Sequence, residues 1–237
     1  MSSSRFSGMA LIAALLIALS LAFMAISIKA GLLQFRDADR VVSVKGLAER
    51  TVAADLALWP INFSVAGTSL DRLQTDIEAQ QSLIRSFLLL KGFVAEDIQL
   101  SMPKMTDQHA NIYGQTLPPQ RYRAEVTVLV RTSDVARVKS SMQTVGELVK
   151  SGVALTQSYE FQPRFVFTQL ESIKPDMIAH ATNDARAAAN QFARDARAEV
   201  GSIRRASQGY FSIEDVDAFT PEIKRVRVVT SVDYILR

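Results

Sequence analysis

The chain predicts an α+β fold, with mostly antiparallel sheets and about three helices, preceded by one transmembrane helix at the amino terminus. Three observations lead there. Some stretches place apolar side chains at every second residue, others at every third or fourth, and the two patterns are interspersed without the regular alternation of a doubly wound sheet.

The elements follow in chain order. Met9 to Ile28 reads MALIAALLIALSLAFMAISI, without a charged side chain. At about 1.5 Å of rise per residue such a run makes a helix of about 30 Å, the hydrocarbon thickness of a bilayer. Leu32, Leu33 and Phe35 prolong it once the Lys29 stem snorkels toward headgroups. The expectation is a cytoplasmic tail over residues 1–8, a signal-anchor helix over 9–33, a linker over 34–40 and a folded body over 41–237. Lys29, Arg36, Arg40 and Lys45 outnumber Arg5 across the segment, so charge bias does not favour a cytoplasmic amino terminus. Against this, Asp37 and Asp39 dilute the cluster and a long domain translocates largely regardless of charge, so the body is expected outside the cytoplasm. Ala25-Ile26-Ser27 is a small-x-small site, and cleavage there is the alternative that leaves a soluble protein.

No proline-rich, glycine-rich or low-complexity linker divides residues 41–237, which read as one compact unit. Val42 and Val44 open a strand that reaches Gly46. Ala57, Trp59, Ile61, Phe63 and Val65 share one face of a second strand, and Pro60, lacking an amide proton, places that strand at an edge or a bulge. Thr68 or Ser69 caps a helix carrying Leu73, Ile77, Ile84 and Phe87, stopped by Gly92. Beyond Ile98, Leu100 and Met102, a loop of turn formers leads to the cleanest alternation in the chain. Tyr122, Ala124, Val126, Val128 and Val130 point one way there, and Arg121, Arg123, Glu125, Thr127 and Arg131 the other.

Ser133 or Thr132 caps a second helix with Val135, Val138, Met142, Val145 and Val149, closing at Gly152. Tyr159, Phe161, Phe165 and Phe167 read as a strand that belongs to the core rather than to a ligand pocket. A third helix starts near Pro175 and Asp176, with Ile178, Ala181, Ala185, Ala188, Phe192 and Ala196 inward. Two strands close the chain, near Ala206–Ile213 and Val226–Leu236.

Composition narrows the function classes. There is no cysteine, which excludes disulfides, thiolate metal sites and cysteine nucleophiles. The chain has 27 basic and 24 acidic residues; without Arg5 and Lys29 the balance is 25 to 24, a poor composition for binding nucleic acid. No nucleophile elbow and no phosphate-binding glycine loop occurs, so no catalytic residue and no cofactor are assigned. Asp176, His180 and Asp184 fall at i, i+4 and i+8 on one helical face and form the candidate metal set, against a solvated face with local ion pairs. His109 sits with Asp107 in a hydrophilic turn. Arg121, Arg123, Arg131, Arg225 and Arg227 are candidates for an interaction surface if their strands are neighbours, against a solvated face on which Glu125 and Asp233 pair across strands.

Three groups of residues also resemble a known family. They are the Val-x-Val-x-Gly opening at Val42, Val44 and Gly46, the Lys91-Gly92-Phe93 turn followed by Asp97-Ile98, and Ala185-Arg186 with Ala189, Ala193 and Gly201. Over roughly residues 41–236 the chain resembles the SIMPL-domain proteins, exported bacterial proteins of no known function. It departs from the family at Ala54-Asp55, where a proline often precedes the aspartate, and at Trp59-Pro60. The resemblance implies an α+β domain, an envelope location and assembly into oligomers.

The expectation is therefore a non-enzymatic protein of the bacterial inner membrane, single-pass through residues 9–33, with its body in the periplasm. It would act as a homo-oligomer or by binding an envelope protein. A periplasmic small-ligand binder, with residues Thr106–Gln120 as a lid over an apolar cavity, is the second reading. A metal-assisted enzyme at Asp176, His180 and Asp184 is the third.

Overall fold

The computed structural model describes residues 19–29, 40–110, 117–156 and 158–237. The fold is α+β with antiparallel sheets and, among the described residues, five α-helices, one more than the three of the body and the amino-terminal helix that were expected. Helix α1, residues 19–29, is the described part of the expected anchor; the rest of segment 9–33 lies outside the described residues, as do the tail and all of the linker but Arg40. Among the described residues no helix is long and apolar enough to cross a membrane.

The body divides into two compact units built from interleaved segments, with boundaries at Glu49/Arg50, Ile173/Lys174, Phe211/Ser212 and Val226/Arg227. The first and last of these fall inside strands β1 (Val41–Ala53) and β9 (Ile223–Leu236), which is why no linker composition marks them.

One unit comprises residues 50–173 and 212–226. Its sheet has the order β3 (Ile98–Leu100), β5 (Tyr122–Thr132), β2 (Leu56–Gly67), β6 (Arg164–Val166), and β4 (Lys104–Asp107) also pairs with β5. The antiparallel register sets Trp59 opposite Val130, Ile61 opposite Val128 and Phe63 opposite Val126, so the apolar faces read from the two alternations coincide. Helix α2 (Leu70–Leu90) covers that face with Leu73, Ile77, Ile84, Phe87 and Leu88. Of the two cap candidates, Ser69 is used; its Oγ accepts from the Arg72 amide at 3.4 Å. At the other end Gly92 adopts φ +86°, and the Phe93 amide reaches the Leu88 carbonyl at 3.1 Å, a left-handed stop.

The expected second helix is two. Helix α3 (Val135–Gln143) is capped by Asp134, whose side chain accepts from the Arg137 amide at 2.9 Å, rather than by Ser133 or Thr132. It ends because Thr144 turns both its amide (3.1 Å) and its hydroxyl (3.0 Å) back to the Ser141 carbonyl. That tightening breaks the ladder before α4 (Gly146–Lys150). The aromatic stretch also divides. Pro163 has no amide to give a ladder, so only Arg164–Val166 form a strand, while Tyr159–Phe161 make a 3₁₀ turn. Phe165 is buried; Tyr159 is 86% exposed.

In the same unit β8 (Ser212–Asp215) pairs with β9, and the loop between them is set by Asp217, which accepts from the amides of Phe219 and Thr220 at 2.7 and 2.8 Å. Next to it the Glu222 carboxylate pairs with Lys139, and this contact holds it below the usual glutamate range. The unfolded chain has the ordinary value, so the stabilisation is complete above that value and is lost as pH falls through the lowered one. Urea midpoints are therefore expected to fall further in the wild type than in Glu222→Gln between neutral pH and about pH 3. Parallel declines would exclude the pair as a source of acid sensitivity.

The other unit holds residues 19–29, 40–49, 174–211 and 227–237 among those described. Here the strand order is β1, β9, β7 (Val200–Gln208). Helix α5 (Leu170–Asp195) starts five residues before Pro175, initiated where the Ser172 amide and hydroxyl bond the Gln169 carbonyl at 3.2 and 2.7 Å. Its buried stripe is Ile173, Met177, Ala181, Ala185, Ala189 and Ala193, so Ala181 and Ala185 are inward as expected, whereas Phe192 is 59% exposed. The reason lies on β1. A Cβ at Gly46 would meet the Ala181 carbonyl oxygen at 1.8 Å and the Ala185 amide nitrogen at 2.4 Å, so strand and helix touch backbone to backbone. Alanine fits such a contact and phenylalanine does not. The Leu47 amide seals it by donating to Asp184 Oδ2 at 2.9 Å.

Candidate functional site

The arginine candidates occupy two sheets. Arg123 and Arg131 are exposed on β5 and Arg121 just before it, but Arg225 and Arg227 are exposed on β9, which belongs to the other sheet. No single sheet face carries all five. Of the two acids expected on these faces Glu125 does pair, with Arg123 of its own strand rather than across strands. Arg121 Nη2 meets Asp107 Oδ2 at 2.9 Å, which holds the Asp107 carboxyl below its usual range, while Arg123 faces Glu125 at 3.6 Å and Arg227 faces Glu49 at 3.4 Å. Exposed pairs of this kind, screened by water, contribute little to stability.

The helical trio is dispersed in its bonding. Asp184 is committed to the Leu47 amide, and among the described residues no group of three His, Asp or Glu side chains is arranged to hold a metal. His109 is a loop residue whose Nε2 lies 2.9 Å from the Pro118 carbonyl and whose amide donates to Asp107.

Two features were not read from the sequence. The first is the outer edge of β7. Among the described residues this strand pairs with β9 alone, residues 202–208 are exposed on both faces, and Ile203 and Tyr210 are 48% and 99% exposed. The Gly209 amide donates to the Val229 carbonyl at 2.8 Å, so by alternation the amides of Ala206 and Gln208 face the open edge.

The second is a pair of cavities beside β2. The Asn62 carbonyl accepts from the Thr156 amide (2.8 Å) and the Ser64 amide donates to the Ala154 carbonyl (3.0 Å), so the even-numbered residues of β2 turn their backbone away from β5. On that side β6 covers only Leu56–Leu58. Pro60 falls in the interval, where no neighbour needs the amide it lacks; β2 itself is neither an edge strand nor bulged there but lies between β5 and β6, so the opening is local to this position. A cavity of about 410 Å³ opens there, walled by Trp59–Asn62, by Met142 and Val145, and by residues between Leu155 and Pro163. None of the described residues of the loop expected as a lid, 106–110 and 117–120, lines it, and residues 111–116 lie outside the described residues. A second cavity of about 400 Å³, lined by Arg164, Asp215 and Lys224, shares Tyr159, Gln162 and Pro163 with the first.

A family model described as SIMPL, a protein of unknown function (DUF541), matches residues 42–232. The chain belongs to the SIMPL family. No curated protein matches it. The SIMPL motif positions are packing positions. Gly46 and Ala185 make the strand-to-helix contact, with Ala189 and Ala193 continuing the stripe. Gly92 turns the chain so that Phe93 packs at 6.3 Å from the Trp59 ring, while Lys91 lies 5.1 Å over Phe87 and pairs with Glu147 at 3.0 Å. The departure at Ala54 also has a use: its amide, which a proline would lack, donates to the Glu222 carbonyl at 2.7 Å.

Proposed function

We propose that this SIMPL protein is a non-enzymatic envelope module, tethered to the inner membrane by residues 9–33, that works in the periplasm by self-assembly through the open edge of β7. The observation that carries the reading is a nine-residue edge strand whose residues 202–208 are exposed on both faces. An edge with unpaired amides and carbonyls is a template for another strand. The register shifts between Val200 and Arg205 limit pairing at one end and leave Ala206–Gln208 regular, so the surface favours one short pairing over open-ended stacking. An envelope protein that adds a strand at the same place is the second form of the same reading.

The full-length protein in detergent is expected to have the mass of a defined oligomer by light scattering. Ala206→Pro removes an edge-facing amide without removing a bond to β9, and is expected to shift the mass to that of the monomer while the circular dichroism spectrum stays unchanged. A wild-type protein that remains monomeric at high concentration would overturn self-assembly. Crosslinking from Ser207 to a different envelope protein would then favour the partner form.

A further inference from the structure

We propose that the two cavities beside Pro60 are one binding site for an amphipathic monoanion, a small carboxylate carrying an apolar or aromatic body. The cavities adjoin at Tyr159, Gln162 and Pro163, which line both, and the occupant is a molecule long enough to reach across these residues. Their linings divide the work by polarity. The 410 Å³ part is bounded by Trp59, Ile61, Met142, Val145, Leu155 and Phe161 and has no charged lining residue. Its volume is in the range of small-molecule sites, and the three aromatic side chains on its wall, Trp59, Tyr159 and Phe161, suit a flat or chain-like apolar body.

The other part carries the charge. Lys224 is 7% exposed and is neutralised by Asp215 on β8, which leaves Arg164 as the cation without an acidic partner among the described residues. One uncompensated guanidinium calls for one anionic group, and its planar fork matches a carboxylate with two parallel hydrogen bonds. The site lies beside two prolines that give no amide to a neighbour: Pro60, inside the continuous strand β2, on the side away from β5, and Pro163, just before β6 and after the 159–161 turn.

Trp59 is the single tryptophan of the chain and lines the apolar part, so its fluorescence reads occupancy directly. The full-length protein in detergent would be titrated with 4-phenylbutyrate, decanoate and 4-phenylbutyramide. Saturable change with either carboxylate, and about tenfold weaker binding of the amide, is the expected result. The aryl and alkyl probes distinguish the two sources of the apolar body. Arg164→Gln, an exposed position that the fold does not need, is expected to weaken the carboxylates about tenfold and to leave the amide unchanged. Met142→Phe, which narrows the apolar part and keeps Trp59 the single tryptophan, is expected to weaken binding of all three. The proposal is overturned if no probe gives a saturable change. It is equally overturned if acid and amide bind alike and Arg164→Gln alters neither.

Discussion

Gly46→Ala is expected to destabilise the protein by about 3 kcal/mol or more, at the top of the range for overpacking. The sign is the informative part. Alanine at a glycine position with ordinary backbone angles is usually stabilising by about 0.4 to 1 kcal/mol, because it restricts the unfolded chain. Gly46 has such angles; the positive-φ glycines among the described residues are Gly92 and Gly152. What forbids the methyl is space. It would lie 1.8 Å from one backbone atom of α5 and 2.4 Å from another, and neither is the movable end of a side chain. Strand and helix must separate, which also breaks the Leu47 amide bond to Asp184. Denaturant unfolding followed by circular dichroism measures it. An unchanged midpoint would contradict the backbone contact. Phe192→Ala on the same helix is the control and is expected to shift stability by no more than about 0.5 kcal/mol, because that ring is exposed.

The second large effect is expected for Phe63→Ala, a loss of about 3 to 5 kcal/mol. Phe63 is fully buried at the centre of β2, opposite Val126 on one side and bridged to Leu155 on the other. Hydrogen bonds from Asn62 and Ser64 to residues 154–156 hold both sides of the position, so the surroundings are poorly placed to collapse into the void. The same denaturant experiment reads it. A loss below about 1 kcal/mol would mean that the sheet and the 153–156 segment relax together, and that the ring is not the keystone its burial indicates.

Much of the fold was legible because it rests on local periodicity. The alternation from Tyr122 to Val130 and that from Ala57 to Val65 each named the buried face of a strand, and the stop at Gly92 follows from the one conformation glycine adopts cheaply. The errors share a physical origin. Helix α5 was given Phe192 as an inward residue because hydrophobicity ranks phenylalanine above alanine, yet the facing strand leaves room only for a methyl group. The second helix was drawn unbroken because its apolar spacing continues through Thr144, whose hydroxyl bond to Ser141 carries no hydropathy signal. The aromatic stretch was read as core throughout, although Pro163 divides it and leaves Tyr159 and Phe161 on a cavity wall.

The candidate site was less legible than the fold. Arg121 and Arg227 were grouped by a shared outward phase, but phase says nothing of which sheet a strand joins. Pro60 was the one usable signal: it announced an edge, and although β2 is not an edge strand, the local opening at this position borders the cavities.

By itself the sequence determined the α+β class, the membership of the SIMPL family and the faces of the principal strands, since these depend on patterns that repeat within about ten residues. Only the tertiary structure decided which strand is left as an edge, which helix residues lie against Gly46, and that cavities open beside Pro60 and Pro163. Those outcomes depend on strand order and on distances between backbones far apart in the chain, quantities that no local pattern of side chains encodes.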